Sequence, residues 1–126
     1  MNRKTLKKRK LINAEKPYHI GRKLRISKKH NAKRVKEGDL VFVDIVFGEI
    51  GKKWNGCYGT IENLHSDTWF KGSVKEAFVN IDINDTDQIQ YCIALTDFIL
   101  IPRDPFERLI TMGKLKEAYD YLQSSG

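Results

Sequence analysis

Between Gly38 and Leu64 the chain reads GDLVFVDIVFGEIGKKWNGCYGTIENL, and within it Val41, Val43, Ile45 and Phe47 share one parity. Parity decides which face of a strand a side chain occupies, so this run predicts a strand with one buried face. Gly48, Gly51 and Gly56 then mark a loop, and a second β-type run starts at Cys57. Together the two runs predict a wide hairpin, and the rest of the chain has to fit around it.

Alternation returns twice. Ala77, Val79, Ile81 and Ile83 point one way and Phe78, Asn80 and Asp82 the other; after the polar turn at 84–87, Ile89, Tyr91, Ile93 and Leu95 repeat the pattern. The segment HSDTWFKGS, 65–73, reads as a loop, and Leu95–Ile101 as a short turn with a closing strand. Five short strands separated by turn signals favour a small barrel over a parallel α/β sheet. Asp104, Pro105 and Glu107 stand where an N-cap, an N1 proline and an N3 acid belong, which predicts a helix start. Phe106, Leu109 and Ile110 supply an apolar stripe, Gly113 is a place where that helix can end, and Leu115, Ala118, Tyr119 and Leu122 resume the spacing. One kinked helix or two short ones should pack on the β-structure, with QSSG fraying at the end. Left exposed, the first stripe is instead a docking face for a partner.

The residues framing the hairpin, Gly38, Asp39, Val41, Val43, Gly59, Thr60, Ile61 and Glu62, resemble the KOW motif. In that motif a Gly-Asp enters one strand and a glycine early in the next precedes Thr, an aliphatic residue and Glu. KOW modules occur in transcription elongation factors of the NusG type and in ribosomal proteins, and they form an SH3-like barrel. Here the connection from Phe47 to Cys57 is longer than the motif usually has. The resemblance spans residues 37–101. The fold expected is mainly β: a small five-stranded SH3-like, KOW-type barrel at 37–101, with a helix or helix pair at 102–126 packed on it. Ahead of it lies a basic arm at 1–36, partly disordered, in which Tyr18, Ile20, Leu24 and Ile26 alternate with polar residues and suggest an extra strand at 18–26.

Charge is divided sharply along the chain. Residues 1–36 hold 15 Lys or Arg against one acid, Glu15, for a net of +14, and the remaining residues hold 8 against 15, for a net of −7. A polycation of that density attracts phosphate polyanions, which is information about partners rather than fold. The first sixteen residues have seven Lys or Arg and few apolar groups, too little to offset the entropy of ordering, so they are expected to be disordered when free. The longest apolar run, Leu40–Phe47, is interrupted by Asp44, so no membrane span is expected, and no secretion signal is recognisable. The expected location is the cytoplasm, with the nucleoid or ribosome, or the nucleus in a eukaryotic host, where Lys7–Lys10 could act as an import signal.

Catalytic signatures are sparse. His19, His30 and His65 are scattered, and Cys57 and Cys92 are far apart and outside any CxxC spacing, so neither a zinc site nor a disulfide framework is indicated. Cys57 with His65 and Asp67 could make a nucleophile and base in principle, but a hairpin position for Cys57 argues against it. The expectation is a non-enzyme without cofactor or metal.

Cations and aromatic rings suit a nucleic-acid surface better, since lysine and arginine neutralise phosphates and a ring stacks on an unpaired base. The contacts expected are Arg3, Lys4, Lys7, Lys8, Arg9, Lys10, Arg22, Lys23, Arg25, Lys28, Lys29, Lys33 and Arg34 in the arm, and Lys52, Lys53, Trp54 and Tyr58 in the hairpin. Trp54 has an equal claim to packing on the β-core, and packing is favoured for Trp69 and Phe70. Convergence of Trp54, Tyr58 and Trp69 would make an aromatic cage, as in Tudor-like relatives of such barrels. The expected role is DNA or RNA backbone binding by a small regulator of transcription or translation. The KOW resemblance points to RNA polymerase or the ribosome, and a weaker one to small bacteriophage proteins that alter host transcription. The alternative is a protein-interaction adaptor that docks on a polymerase, ribosomal or other host protein.

Overall fold

The computed structural model describes residues 19–28, 31–46, 50–67 and 73–125. The disorder expected for the first sixteen residues, and the packing of Phe47, Trp69 and Phe70, fall outside them.

Five antiparallel strands form one sheet: β1 (Leu40–Val43), β2 (Tyr58–Asp67), β3 (Ser73–Asp82), β4 (Gln88–Ala94) and β5 (Phe98–Leu100). Their order across the sheet is β4-β3-β2-β1-β5. Helices α1 (Ile20–Leu24) and α2 (Asn31–Arg34) precede the sheet and α3 (Pro105–Ser125) follows it. The mainly β class and the five strands are as the alternation predicted. The sheet does not close into a barrel, however: three-residue β5 crosses to pair with β1, and no ladder joins it to β4 among the described residues.

One cluster draws on every strand, which requires strong curvature. Val41, Val43, Ile61, Ala77, Val79, Ile81, Ile93 and Phe98 line the concave side, joined by Val35 from behind α2. Irregularities in the β2–β3 register between Ile61 and Asn63 and between His65 and Ser66 supply bends, as bulges do. The β2–β3 ladder runs Asp67 against Ser73, so the expected loop 65–73 is shorter than its polarity suggested. A second cluster lies on the convex side of β1 and β5, where Phe42, Ile99 and Ile101 meet Ile20 of α1 and Leu115, Ala118 and Leu122 of α3. Strands β1 and β5 are thus buried on both faces, while the convex faces of β3 and β4 carry mainly polar residues beside Phe78.

Gly38, Asp39 and Gly59, at the hairpin, have visible physical jobs. Gly38 takes φ +92°, a backbone setting that side chains disfavour, and its N–H donates to the Ile61 carbonyl at 2.8 Å. Asp39 accepts the Lys36 N–H at 2.9 Å. At Gly59, an added Cβ would lie 2.5 Å from Val79 Cγ1 and 2.9 Å from the Asn80 carbonyl oxygen. Backbone cannot yield as a side chain can, so Gly59→Ala should cost about 1–3 kcal/mol of stability, read as a lower urea midpoint at unchanged m-value. An unshifted midpoint would show that β3 gives way freely.

The long hairpin connection is tied down locally. Asn55 Oδ1 accepts the Ile45 N–H at 2.6 Å and its Nδ2 donates to the Ile45 carbonyl at 3.0 Å. Tyr119 of α3 donates its hydroxyl to the Asn55 carbonyl at 3.2 Å, fixing that connection to the C-terminal helix. Asp104 accepts the Glu107 N–H at 3.0 Å, the cap expected from sequence. Gly113 does not end the helix: α3 runs unbroken through it to Ser125, so the frayed end expected at QSSG is helical up to that residue.

The expected strand at 18–26 is helix α1 instead. Ile20 and Leu24 share even parity but are also four apart, so they fit one helical turn equally well. What decides is Asp44, whose carboxylate accepts the N–H groups of Ile20 (2.6 Å) and Gly21 (3.0 Å). The turn ends at Arg25 in the left-handed conformation, with the Ile26 N–H returning to the Gly21 carbonyl at 2.9 Å.

Candidate nucleic-acid interface

The described half of the arm lies on the body rather than apart from it. Its central fixture is Asp44, 2% exposed at the end of β1. Besides the two α1 amides, this carboxylate receives Lys28 Nζ at 2.6 Å and lies 3.2 Å from His19 Nδ1. Lys28 Nζ also donates to the Asp44 carbonyl at 3.0 Å. Nearby, burial raises the Asp97 carboxyl above its ordinary value, against the lowering effect of the Val46 N–H that it accepts and of Lys28.

The expected contact residues therefore separate into groups. Arg3, Lys4, Lys7, Lys8, Arg9, Lys10 and Lys29 lie outside the described residues. Arg22, Lys23 and Arg25 are exposed at α1, and Lys33 and Arg34 are exposed on α2. Lys23 Nζ stands 3.7 Å from the centroid of the Tyr121 ring, a cation–π contact that draws α1 toward α3. Lys28 must be removed from the contact set: its side chain is 8% exposed and its charge is matched by Asp44.

The hairpin aromatics are corrected as well. Trp54 packs against the concave cluster, with Lys53 Nζ 4.9 Å from its ring centroid. Tyr58 belongs to the convex cluster, edge-on to Phe42 at a centroid distance of 5.2 Å. The two rings serve opposite faces of the sheet, so they form neither a stacking platform nor a cage; Trp69 lies outside the described residues. Of the two lysines on the 3₁₀ turn Gly51–Trp54, Lys53 is exposed and Lys52 half-buried.

Two cations near the arm went unrecognised in the sequence. Lys36 is exposed just beyond α2. Arg103 makes a two-pronged pair with Asp39, Nε to Oδ1 and Nη2 to Oδ2, both at 2.7 Å, and Nη2 also donates to the Arg34 carbonyl at 2.8 Å. That Asp39 pairing raises the Arg103 guanidinium further above its ordinary value. Arg34 and Arg103 line a shallow cleft with Pro102 and Glu107. The Gly-Asp of the hairpin entry could have prompted a search for this arginine, because an Asp held by one backbone N–H has oxygen capacity left for a fork of donors.

Acidic and amide groups gather elsewhere, on the convex face of β2, β3 and β4. Gln88 Nε2 donates to Asp82 at 2.6 Å, Asn80 Nδ2 to Glu62, and the Cys92 thiol to Glu76 at 2.7 Å. Partial burial and then the Glu76 carboxylate push the Cys92 thiol up to about 11, which leaves little thiolate at neutral pH. Burial and then Asp82 raise the Cys57 thiol too, and the His65 ring lies edge-on to Phe78. Among the described residues no group of three His, Cys, Asp or Glu is placed to hold a metal ion, and no helix is long and apolar enough to cross a membrane.

Set against known families, curated proteins and solved structures, the chain matches no family model, no curated protein and no solved structure.

Proposed function

We propose that this protein binds the backbone of DNA or RNA through its basic arm and the helices that continue it, without base-specific readout, as a small non-enzymatic regulator in transcription or translation. The observation carrying this reading is the separation of charge. Residues 1–36, of net +14, include α1 and α2, where Arg22, Lys23, Arg25, Lys33, Arg34 and Lys36 are exposed, while Glu62, Asp82 and Glu76 occupy the convex face of the sheet. Cations of this density release counterions from a nucleic-acid backbone whatever its sequence. The KOW-like residues around the hairpin support a setting at RNA polymerase or the ribosome, hence a cytoplasmic location with the nucleoid or ribosome.

Fluorescence anisotropy with a labelled generic duplex and a single strand, at about 50 mM salt, tests the proposal. The full chain should bind both, and the pair Lys33→Glu and Arg34→Glu should weaken both. These residues face solvent, so the fold should survive the change. A full chain that ignores duplex and single strand alike at that salt overturns the reading.

A further inference from the structure

Helix α3 presents apolar groups on two sides, and among the described residues only one of them is packed against the body. Leu115, Ala118 and Leu122 are buried against the sheet. At about 100° per residue, Phe106 lies about 180° around the helix from Leu115, Gly113 about 160°, and Leu109 and Ile110 about 120–140° to either side. Phe106 is 71% exposed, Leu109 73% and Ile110 45%. The apolar start of the helix therefore faces away from the body.

A second observation falls on the same face. Gly113 sits inside a continuous helix, where glycine is unfavourable relative to alanine, and a Cβ there would meet nothing within 4 Å. Neither its backbone conformation nor its neighbours in the chain call for glycine. A mid-helix glycine beside exposed large side chains is what close approach by another helix uses.

Charge chooses the occupant. Glu107 and Lys114 flank the patch on one side, seven residues apart and so nearly in line along the helix. Neither is in an ion pair among the described residues. When a helix packs antiparallel on its own copy, the two-fold axis keeps each flank on its own side, so Glu107 meets the second copy's Lys114 and the reverse, giving two opposite-charge contacts. In that register, Phe106 of each chain lies about 3 Å along the axis from the other's Gly113, within reach of the space it leaves.

We infer that the outward face of α3 is a self-association surface, on which two copies of this chain pair antiparallel through Phe106, Leu109, Ile110 and Gly113. The patch is small, so the pair is a weak one, with a dissociation constant on the order of 100 µM or tighter. This inference does not depend on the nucleic-acid reading.

Sedimentation equilibrium of the full chain across about 10 µM to 1 mM tests it. A monomer–dimer equilibrium should appear, with association weakened about tenfold or more by Leu109→Glu. Gly113→Leu should leave a folded monomer, since nothing among the described residues lies within 4 Å of a Cβ there, yet block association. Glu107→Lys and Lys114→Glu should each weaken the dimer, and the double reversal should restore it. Far-ultraviolet circular dichroism of each variant checks that α3 is intact. A wild-type chain that stays monomeric throughout overturns the proposal, as does a dimer indifferent to Leu109→Glu and Gly113→Leu, or a double reversal that fails to rescue. Capture of a different protein by this face while the chain alone remains monomeric counts as the first of these.

Discussion

Replacement of Asp44 by alanine is expected to lower the free energy of unfolding by about 3–5 kcal/mol, the range for removing one partner of a buried ion pair. The carboxylate is 2% exposed and serves four groups: the Ile20 and Gly21 amides, Lys28 Nζ and His19 Nδ1. Its removal leaves a lysine charge and two helix amides in a region they cannot easily leave, and each unsatisfied group adds its own desolvation cost. Asp44→Asn keeps the volume and an acceptor oxygen but not the charge, so its loss should fall between wild type and alanine. Urea unfolding followed by tryptophan fluorescence measures both. Hydrogen exchange should show the Ile26 amide, bonded to the Gly21 carbonyl at 2.9 Å, losing protection ahead of the β2–β3 ladder. A loss below about 1 kcal/mol for Asp44→Ala would mean that α1 contributes little to the folded body.

The second large effect is on salt dependence. If the arm neutralises about six phosphates, affinity for a generic duplex should fall on the order of a thousandfold between about 50 and 200 mM salt, because the logarithmic slope is roughly −0.9 per neutralised phosphate. Residues 1–18 hold seven Lys or Arg and one acid, Glu15, so deleting them should flatten the slope most. Residual dependence would then come from the cations of α1 and α2, and Lys33→Glu with Arg34→Glu should reduce it further. Lys28→Met should change stability and leave the slope alone, since that ammonium is already matched by Asp44. A slope equal in full-length and shortened chains would remove the leading residues from the contact.

How much of this was legible depends on the range of the deciding interaction. The strands were readable because Val41, Val43, Val79, Ile81 and Ile93 alternate and are buried, a pattern local to each segment. The α3 start was readable because its cap lies within three residues, Asp104 to Glu107. Helix α1 was not, since its amides are claimed by Asp44 from 24 residues away, and that carboxylate looked like an interruption in an apolar run. The same contact hid the burial of Lys28 among solvated arm cations. Trp54 and Tyr58 looked like neighbours on one surface, yet their even positions straddle the turn and loop leading into β2 and end on opposite faces. The outward aim of Phe106, Leu109 and Ile110 was in principle readable, because placing them on one wheel with Leu115, Ala118 and Leu122 puts them on the other side. Reading Gly113 as a kink or a stop keeps the two groups off one continuous wheel.

The acids and amides along the convex face of β2, β3 and β4 have a consequence for encounter. A molecule with cations at α1 and α2 and carboxylates along a separate surface carries a permanent electrical asymmetry, and such a body is turned by the field of a charged rod before it touches it. If the arm binds a polyanion as proposed, rotation during approach selects a pose with Glu62, Glu76 and Asp82 held away from it.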